Sequence, residues 1–448
     1  MINLFDNYSQ QTRDLHESLK KSGYQQQTIV IEANGFLPDD VISPYTYFLN
    51  NKKNIERGCF FNEVKTPDFW EISGDGGSAR IKNYEKEQAR IQYHSDSNNR
   101  IVEMVEWLDE DEKVYQIDRY DKFGNVFAQT TVANDGQHLI TTYFNANNQE
   151  ILVENHVTGN IILTLENENM HIFHGKIDYI KFFIDYLNLD NSQIFYNTLS
   201  YSFLVSHTLP HQEGKDILFW QEQIGNEIPG NMSLILNNEQ HRTKRIVVPN
   251  QDTYEKMLTL VSSEQKYRIC NLGYIYDFRR QNQSNKDAFI FTNSDEIEGL
   301  ETLVQELQEV TFRIAAKTEM SQKLMDMIKF SNVILYQNID KERIDYIFET
   351  SDLLLDINYY AEVMDVSRRS FENNMLIFSF SQTLHNSRYV AKSLIFDKEN
   401  VKQMADKIKE VLASKSVISD YIQQQQKQGD ALTVEIFQFE LSTVLEEI

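Results

Sequence analysis

Two hydrophobic rhythms alternate along the chain. Over residues 6–22, Leu15 and Leu19 stand one helical turn apart and Gly23 closes the stretch, which predicts a first helix. Thr28-Ile29-Val30-Ile31 reads as a short buried strand and opens into the loop Glu32–Pro38, punctuated by Gly35 and Pro38. From about residue 55 strand-like segments recur, separated by turn signals at Phe123-Gly124-Asn125, Asn134-Asp135-Gly136, Asn147-Asn148 and Thr158-Gly159-Asn160. The last of them alternates, with Ile161, Leu163 and Leu165 on one face. No helical period interrupts these turns, so the region reads as an antiparallel β-meander.

After residue 170 the helix–strand rhythm returns. A helix over 175–187 carries Ile177, Ile180, Ile184 and Leu187, and strands are expected at 193–196, 217–220, 233–236 and 246–248. Further on, strands at 288–292, 311–315, 333–336, 352–356 and 375–379 alternate with helices near 295–308, 319–329, 340–350 and 361–373. This is the pattern of a parallel sheet with crossover helices. The tail past 400 reads as helical, with a polar break at Gln423–Gln428. The expected architecture is α/β, with two Rossmann-like domains. Residues 1–54 and 166–270 form the first half, 55–165 an inserted β-meander, and 271–448 the second half with the C-terminal helices. In such sheets ligands bind beyond the carboxyl ends of the strands, and the default site is the cleft between halves.

Charge narrows the partners. The 448 residues carry a formal net charge of −24, which disfavours nucleic acid and anionic lipid. Only short basic clusters occur, such as His241, Arg242, Lys244 and Arg245. Met1–Asp6 lacks the basic and apolar regions of a signal peptide, and no apolar run is long enough to span a bilayer. The expectation is a cytoplasmic protein without an integral membrane segment, with peripheral attachment at the cytoplasmic face of the membrane left open. Cys59 and Cys270 show no metal-ligand spacing and no disulfide framework.

Familiar catalytic motifs are missing. There is no Gly-x-Gly-x-x-Gly after a strand, no Walker A loop and no Gly-x-Ser-x-Gly elbow, and 16 glycines leave little capacity for cradling phosphates. No cofactor is expected. Asp109–Glu112 reads as a solvated turn, because divalent sites need converging oxygens. His171 and His174 form the only close histidine pair, at a strand-to-helix junction, and no metal is assigned to them.

The segment Asp352–Phe380 runs strand, loop, helix, strand, with Asp356-Ile357-Asn358-Tyr359-Tyr360-Ala361-Glu362 at the mouth of the sheet and Glu372 late in the helix. It resembles the donor-site helix of GT-B retaining glycosyltransferases, in which two glutamates with seven residues between them grip the sugar and the ribose. That resemblance implies that Glu372 matches the second glutamate, whereas Met364 stands at the first. It also implies an Arg and a Lys after the first strand of this half; Asn293 and Glu298 stand there instead. A carboxylate at that place repels a diphosphate, so Asn293, Glu298 and Glu372 mark a vestigial donor site.

The likeness extends over nearly the whole chain. Thr28–Asp40, Ile42–Phe48, Val153–Gly159, Leu218–Glu222, Pro229–Met232, Phe312–Ala316, Thr318–Met320, Leu384–Asn386 and Arg388–Lys392 resemble the GtfB family, the stabilising subunits of the accessory Sec glycosyltransferase. The resemblance implies a catalytic partner subunit, GtfA. With it, the complex transfers N-acetylglucosamine from UDP-N-acetylglucosamine to Ser and Thr of serine-rich repeat adhesins before export. It further implies that this chain is not catalytic alone, that it binds the acceptor polypeptide, and that the inserted β domain mediates the pairing. The rival expectation is an autonomous GT-B retaining transferase with an altered donor site.

An extended, uncharged acceptor calls for hydrogen-bonding and aromatic surface at strand ends. The candidates are Asn34, Gly35, Phe36, Trp220, Glu222 and Asn231 in the first half, and Asn358, Tyr359, Glu362, His385 and Arg388 in the second. Gly35 is expected to let a backbone come close.

Overall fold

Runs of four or five residues with every side chain buried, such as Ile2–Phe5, Asp216–Phe219, Leu353–Asp356 and Leu376–Phe380, are the signature of strands covered on both faces, and they build two parallel sheets. The computed structural model describes residues 1–50, 57–74, 77–94, 100–165, 169–210 and 214–446. These divide into two units, Met1–Tyr274 with Thr433–Ile448, and Ile275–Leu432.

The first unit opens with β1 (Ile2–Phe5), α1 (Gln10–Lys21), β2 (Gln27–Val30), β3 (Val41–Ile42) and α2 (Pro44–Tyr47). An inserted run of ten strands follows: β4 (Glu71–Gly74), β5 (Ser78–Asn83), β6 (Lys86–Tyr93), β7 (Val102–Leu108), β8 (Val114–Tyr120), β9 (Val126–Val132), β10 (His138–Phe144), β11 (Glu150–Asn155), β12 (Ile161–Thr164) and β13 (Met170–Phe173). The chain then resumes with α3 (Lys176–Tyr186), β14 (Ile194–Tyr196), α4 (Tyr201–Thr208), β15 (Asp216–Phe219), α5 (Gly230–Leu236), β16 (Thr243–Val248), α6 (Gln251–Leu260) and β17 (Ile269–Asn271). Among the described residues the parallel sheet has the order β17-β16-β15-β14-β1-β2-β3. Its direction of winding reverses between β1 and β14, the position at which doubly wound sheets leave a crevice.

The ten inserted strands pair antiparallel, each with its sequence neighbours, in one continuous sheet. Tyr143, Leu152, Ile161 and Leu163 on its inner face pack with Tyr45, Leu49 and Tyr179 of the α/β layer. A polar seam runs beside this apolar contact. Arg119 donates to Thr130 Oγ1 (3.0 Å), Thr130 and Thr141 share a hydrogen bond (2.9 Å), and Thr141 meets His156 Nε2 (2.8 Å). The buried Glu154 carboxylate lies 3.1 Å from Lys176 Nζ, at the start of α3.

The second unit consists of β18 (Asp287–Phe291), α7 (Leu300–Glu306), β19 (Thr311–Ala315), α8 (Gln322–Met325), β20 (Val333–Tyr336), α9 (Lys341–Thr350), β21 (Leu353–Asp356), α10 (Val366–Glu372), β22 (Leu376–Phe380), β23 (Ile395–Phe396), α11 (Val401–Leu412) and α12 (Lys415–Gln428). Its parallel sheet has the order β20-β19-β18-β21-β22-β23, with the reversal between β18 and β21.

Several expectations need correction. Residues 233–236 are not a strand: they lie in α5, with Met232, Ile235 and Leu236 buried. Gln423–Gln428 is not a break, since α12 runs through it. Gln425 is 1% exposed, donates to Met375 O (2.8 Å) and accepts from Ile377 N (3.0 Å). Residues 2–5, given no element from sequence, form an interior strand of the first sheet, between β14 and β2. The helix α13 (Val434–Glu446) does not stay with the second half. It groups with the first unit, where Gln438 donates to Ser22 O (3.1 Å) beyond the end of α1.

Candidate functional site

At the reversal of the first sheet, three strand ends deliver polar residues. β1 runs into Asp6, β14 into Asn197 and Thr198, and β15 into Trp220, Gln221 and Glu222. Thr198 Oγ1 and Ser202 Oγ both donate to Asp6 Oδ2, the latter at 2.7 Å, and Asn197 Oδ1 accepts from Asp6 N (3.1 Å). Glu222 Oε2 accepts from Trp220 Nε1 (2.9 Å) and from Leu199 N (2.9 Å), while Asn231 Nδ2 donates to Leu199 O (2.9 Å). Trp220, Glu222 and Asn231 are thereby brought together around one loop. Trp220 itself is 1% exposed and belongs to the core, so it offers no surface to a ligand; its indole N–H braces Glu222.

Asn34, Gly35 and Phe36 lie elsewhere, packed on the inserted sheet. Lys122 N donates to Gly35 O (2.9 Å), Lys122 Nζ reaches Leu37 O (2.7 Å) and Asp39 (2.6 Å), and Phe36 stacks on His94 with ring centroids 3.9 Å apart. A Cβ on Gly35 would sit 2.7 Å from both Asp121 Cα and Tyr120 O. The backbone that Gly35 admits is therefore the chain's own β8–β9 turn. A cavity of about 220 Å³ opens here, lined among others by Asn34, Leu37, Asp39, Thr46, Lys122 and Phe127.

In the second unit the loops after β18 and β21 are stitched together. Glu298 N donates to Ile357 O (2.8 Å), Tyr359 N to Glu296 O (3.0 Å) and Asn293 Nδ2 to Ala361 O (3.3 Å). The Tyr359 hydroxyl donates to Glu298 Oε2 (2.5 Å), and that carboxylate holds the phenol above its ordinary range. Asn358 is buried at 2% exposure, and Glu362 accepts from Ser367 N (2.7 Å) at the start of α10. Arg388 sits in a short 3₁₀ turn, its N–H bonded to Asn386 Oδ1 (3.2 Å). His385 donates through Nδ1 to Asp356 and through Nε2 to Tyr360 O (2.7 Å), and its backbone N–H also reaches Asp356 (3.0 Å). With both ring nitrogens donating, the imidazole is held as its cation, and the hydrogen bond to Asp356 pushes its pKa up to about 9.

Glu372 does not join Asn293 and Glu298. It ends α10, and a crossover helix that starts at the carboxyl edge of a parallel sheet ends at the amino edge. Its carboxylate is bonded to Arg368 (2.9 Å) and lies 3.6 Å from Arg279. Its match to a donor-gripping glutamate is corrected accordingly. Elsewhere, Asp109 Oδ1 accepts from Asp111 N and Lys113 N, closing the acidic turn, and His171 packs on Phe182. Among the described residues no group of three or more His, Cys, Asp or Glu could hold a metal ion, and no helix is long and apolar enough to cross a membrane. Sequence reasoning missed Asp6, Asn197 and Thr198, which follow the buried strands β1 and β14 within two residues, and it placed Asp356 at the mouth of the sheet without giving it a role.

Family models match along the chain: the GtfB N-terminal domain over residues 2–48, the GtfB middle domain over 70–174, the GtfB third domain over 176–260 and the GftB/GlyA-F C-terminal domain over 288–425. The chain is 48% identical over 445 residues to the UDP-N-acetylglucosamine–peptide N-acetylglucosaminyltransferase stabilizing protein GtfB of Streptococcus gordonii, covering 99% of both. It superposes with a TM-score of 0.95 and 48% identity on a chain of a crystal structure of a GtfA/B complex bound to UDP and GlcNAc, again over 99% of both. The pneumococcal O-GlcNAc transferase GtfA shares the fold at 12% identity and a TM-score of 0.51, over 100% of this chain and 98% of that one. Aligned from end to end at this identity, the chain belongs to the GtfB family of glycosyltransferase-stabilizing proteins.

Proposed function

We propose that this chain is the non-catalytic, stabilising and acceptor-binding subunit of a protein O-GlcNAc transferase. It pairs with a catalytic subunit of the GtfA kind and holds the Ser/Thr-rich stretch of a serine-rich repeat adhesin while that partner transfers GlcNAc from UDP-GlcNAc. One observation carries the reading. The loop after β18, which leads from the strand reversal of the second sheet, bears Asp295, Glu296 and Glu298 and no cation, and Glu298 is spent on Tyr359. A diphosphate meets charge of its own sign there. The names of the relatives and the GtfA/B complex support the pairing.

Acceptor contacts are assigned to the strand-end surfaces, with Asn34, Phe36, Glu222 and Asn231 on the first unit and Tyr359, Glu362 and Arg388 on the second; Asn358, buried like Trp220, and His385, bonded through both ring nitrogens, shape the surface from beneath. Partner docking is assigned to the inserted sheet, and the site of action to the cytoplasm. The deciding experiment follows labelled GlcNAc onto an unmodified serine-rich polypeptide. Transfer should be absent with this chain alone and strong once the catalytic subunit is added. Transfer by this chain alone would overturn the reading in favour of an autonomous enzyme.

A further inference from the structure

The loop from Ile357 to Asp365 holds three non-glycine residues in the left-handed region: Tyr360 (φ 71°), Met364 (φ 54°) and Asp365 (φ 49°). Side chains disfavour that region, so such a conformation persists only where its surroundings over-determine it. The surroundings here are the ends of three adjacent parallel strands. From β18 come the bonds of Asn293 to Ala361 O and of Glu296 and Glu298 to Tyr359 and Ile357. β21 supplies Asp356, whose backbone carbonyl accepts from Ser379 (2.8 Å) and Thr383 (2.9 Å). His385, a few residues past β22, spans from the Asp356 carboxylate to the Tyr360 carbonyl. Within this frame Tyr360 is left 66% exposed.

We propose that Asp356 and His385 form a clasp that fixes the strained 357–365 loop, and that the loop exists to present Tyr360 as an aromatic contact for the acceptor polypeptide. The inference rests on the acceptor-binding reading above. His385 is a positioning residue: both ring nitrogens are occupied by the chain itself, so it acts through the Tyr360 backbone. A rigid, preset loop spares the ordering cost of binding an extended, flexible chain. The rim suits an uncharged polypeptide. Glu296 and Glu298 border Tyr359 together with Glu399, while the His385 imidazolium is already matched to Asp356. The charged groups facing His385 are Asp356 at the end of β21 and Glu362 in the loop. Loss of the imidazolium proton removes one of its two donors and slackens the clasp.

The test titrates an unglycosylated Ser/Thr-rich polypeptide with the full chain, alone and with its catalytic partner. Tyr360→Ala should weaken binding about fivefold or more, whereas Tyr360→Phe stays close to wild type. His385→Ala should weaken binding similarly, and the double variant should lose no more than either single one, because both changes disable one device. Wild-type affinity should fall as pH rises through about 9, and the His385→Ala profile should be flat across the same range. Tyr360 is exposed, so its variants report on the proposal even where His385→Ala folds poorly. Unchanged binding by Tyr360→Ala, or losses that add in the double variant, would overturn this inference alone. Failure of the wild-type chain to bind the polypeptide at all would overturn the acceptor-binding reading with it.

Discussion

Gly35 shows how a correct expectation can point at the wrong neighbour. A glycine in a loop past a strand signals a close approach, and the approach is real, but the visitor is the turn between β8 and β9 rather than a bound chain. Gly35→Ala should destabilise the protein by ~1–3 kcal/mol through overpacking, read as a lower melting temperature of the first unit. Trp220 and Glu372 were misplaced for a related reason. Position relative to a strand or helix end is legible in sequence, but which hydrogen bond a side chain finds is not. His385 makes a separable prediction. Its pKa is raised on folding, so its contribution to stability is fully present below pH ~6.5 and is lost as pH rises through about 9. Urea unfolding across that range should show the decline, and His385→Gln should remove it.

Among the elements, the second unit was the most legible, because apolar strands of four or five residues alternating with helices leave few other solutions: the strands at 311–315 and 333–336 stand where the pattern puts them. Short segments were harder. Ser233–Leu236 has the composition of a strand, and only Pro229-Gly230 ahead of it marks a helix start. The glutamine run was misread as polar surface, although glutamine is a good helix former and Gln425 takes its bonds from strand backbone inside the core. In the first unit the elements are sewn together by one buried ion pair. Asp216, at the start of β15, accepts from Arg242 Nε (2.8 Å), Ser206 Oγ (2.6 Å) and Ile194 N (2.9 Å). Asp216→Ala would leave a buried guanidinium without its carboxylate and should cost ~3–5 kcal/mol, measured as the shift of the corresponding unfolding transition.

At the scale of the molecule, sequence order and structural grouping diverge. The first unit is assembled from two stretches, because α13 returns to it and buries Phe437, Leu441 and Val444. Ending the chain after Leu432 should uncover this contact, at up to ~1.5–3 kcal/mol for each large apolar side chain. Such a truncated protein should melt earlier in its first unit and bind a hydrophobic dye, while the second unit keeps its own transition. The excess of negative charge acts over the same length scale: with a net −24, stability should rise with moderate salt as self-repulsion is screened, which a melting series in sodium chloride would check.

The returning helix also has a consequence in time. On the ribosome the first 274 residues emerge well before α13, and the stretch that separates them is the whole of the second unit. At ~5–20 residues per second that interval lasts roughly 10–30 s. For that period the newborn α/β layer is complete in its strands yet lacks its closing helix, a window open to chaperones and proteases that shuts only after translation has passed Glu446, the last residue of α13.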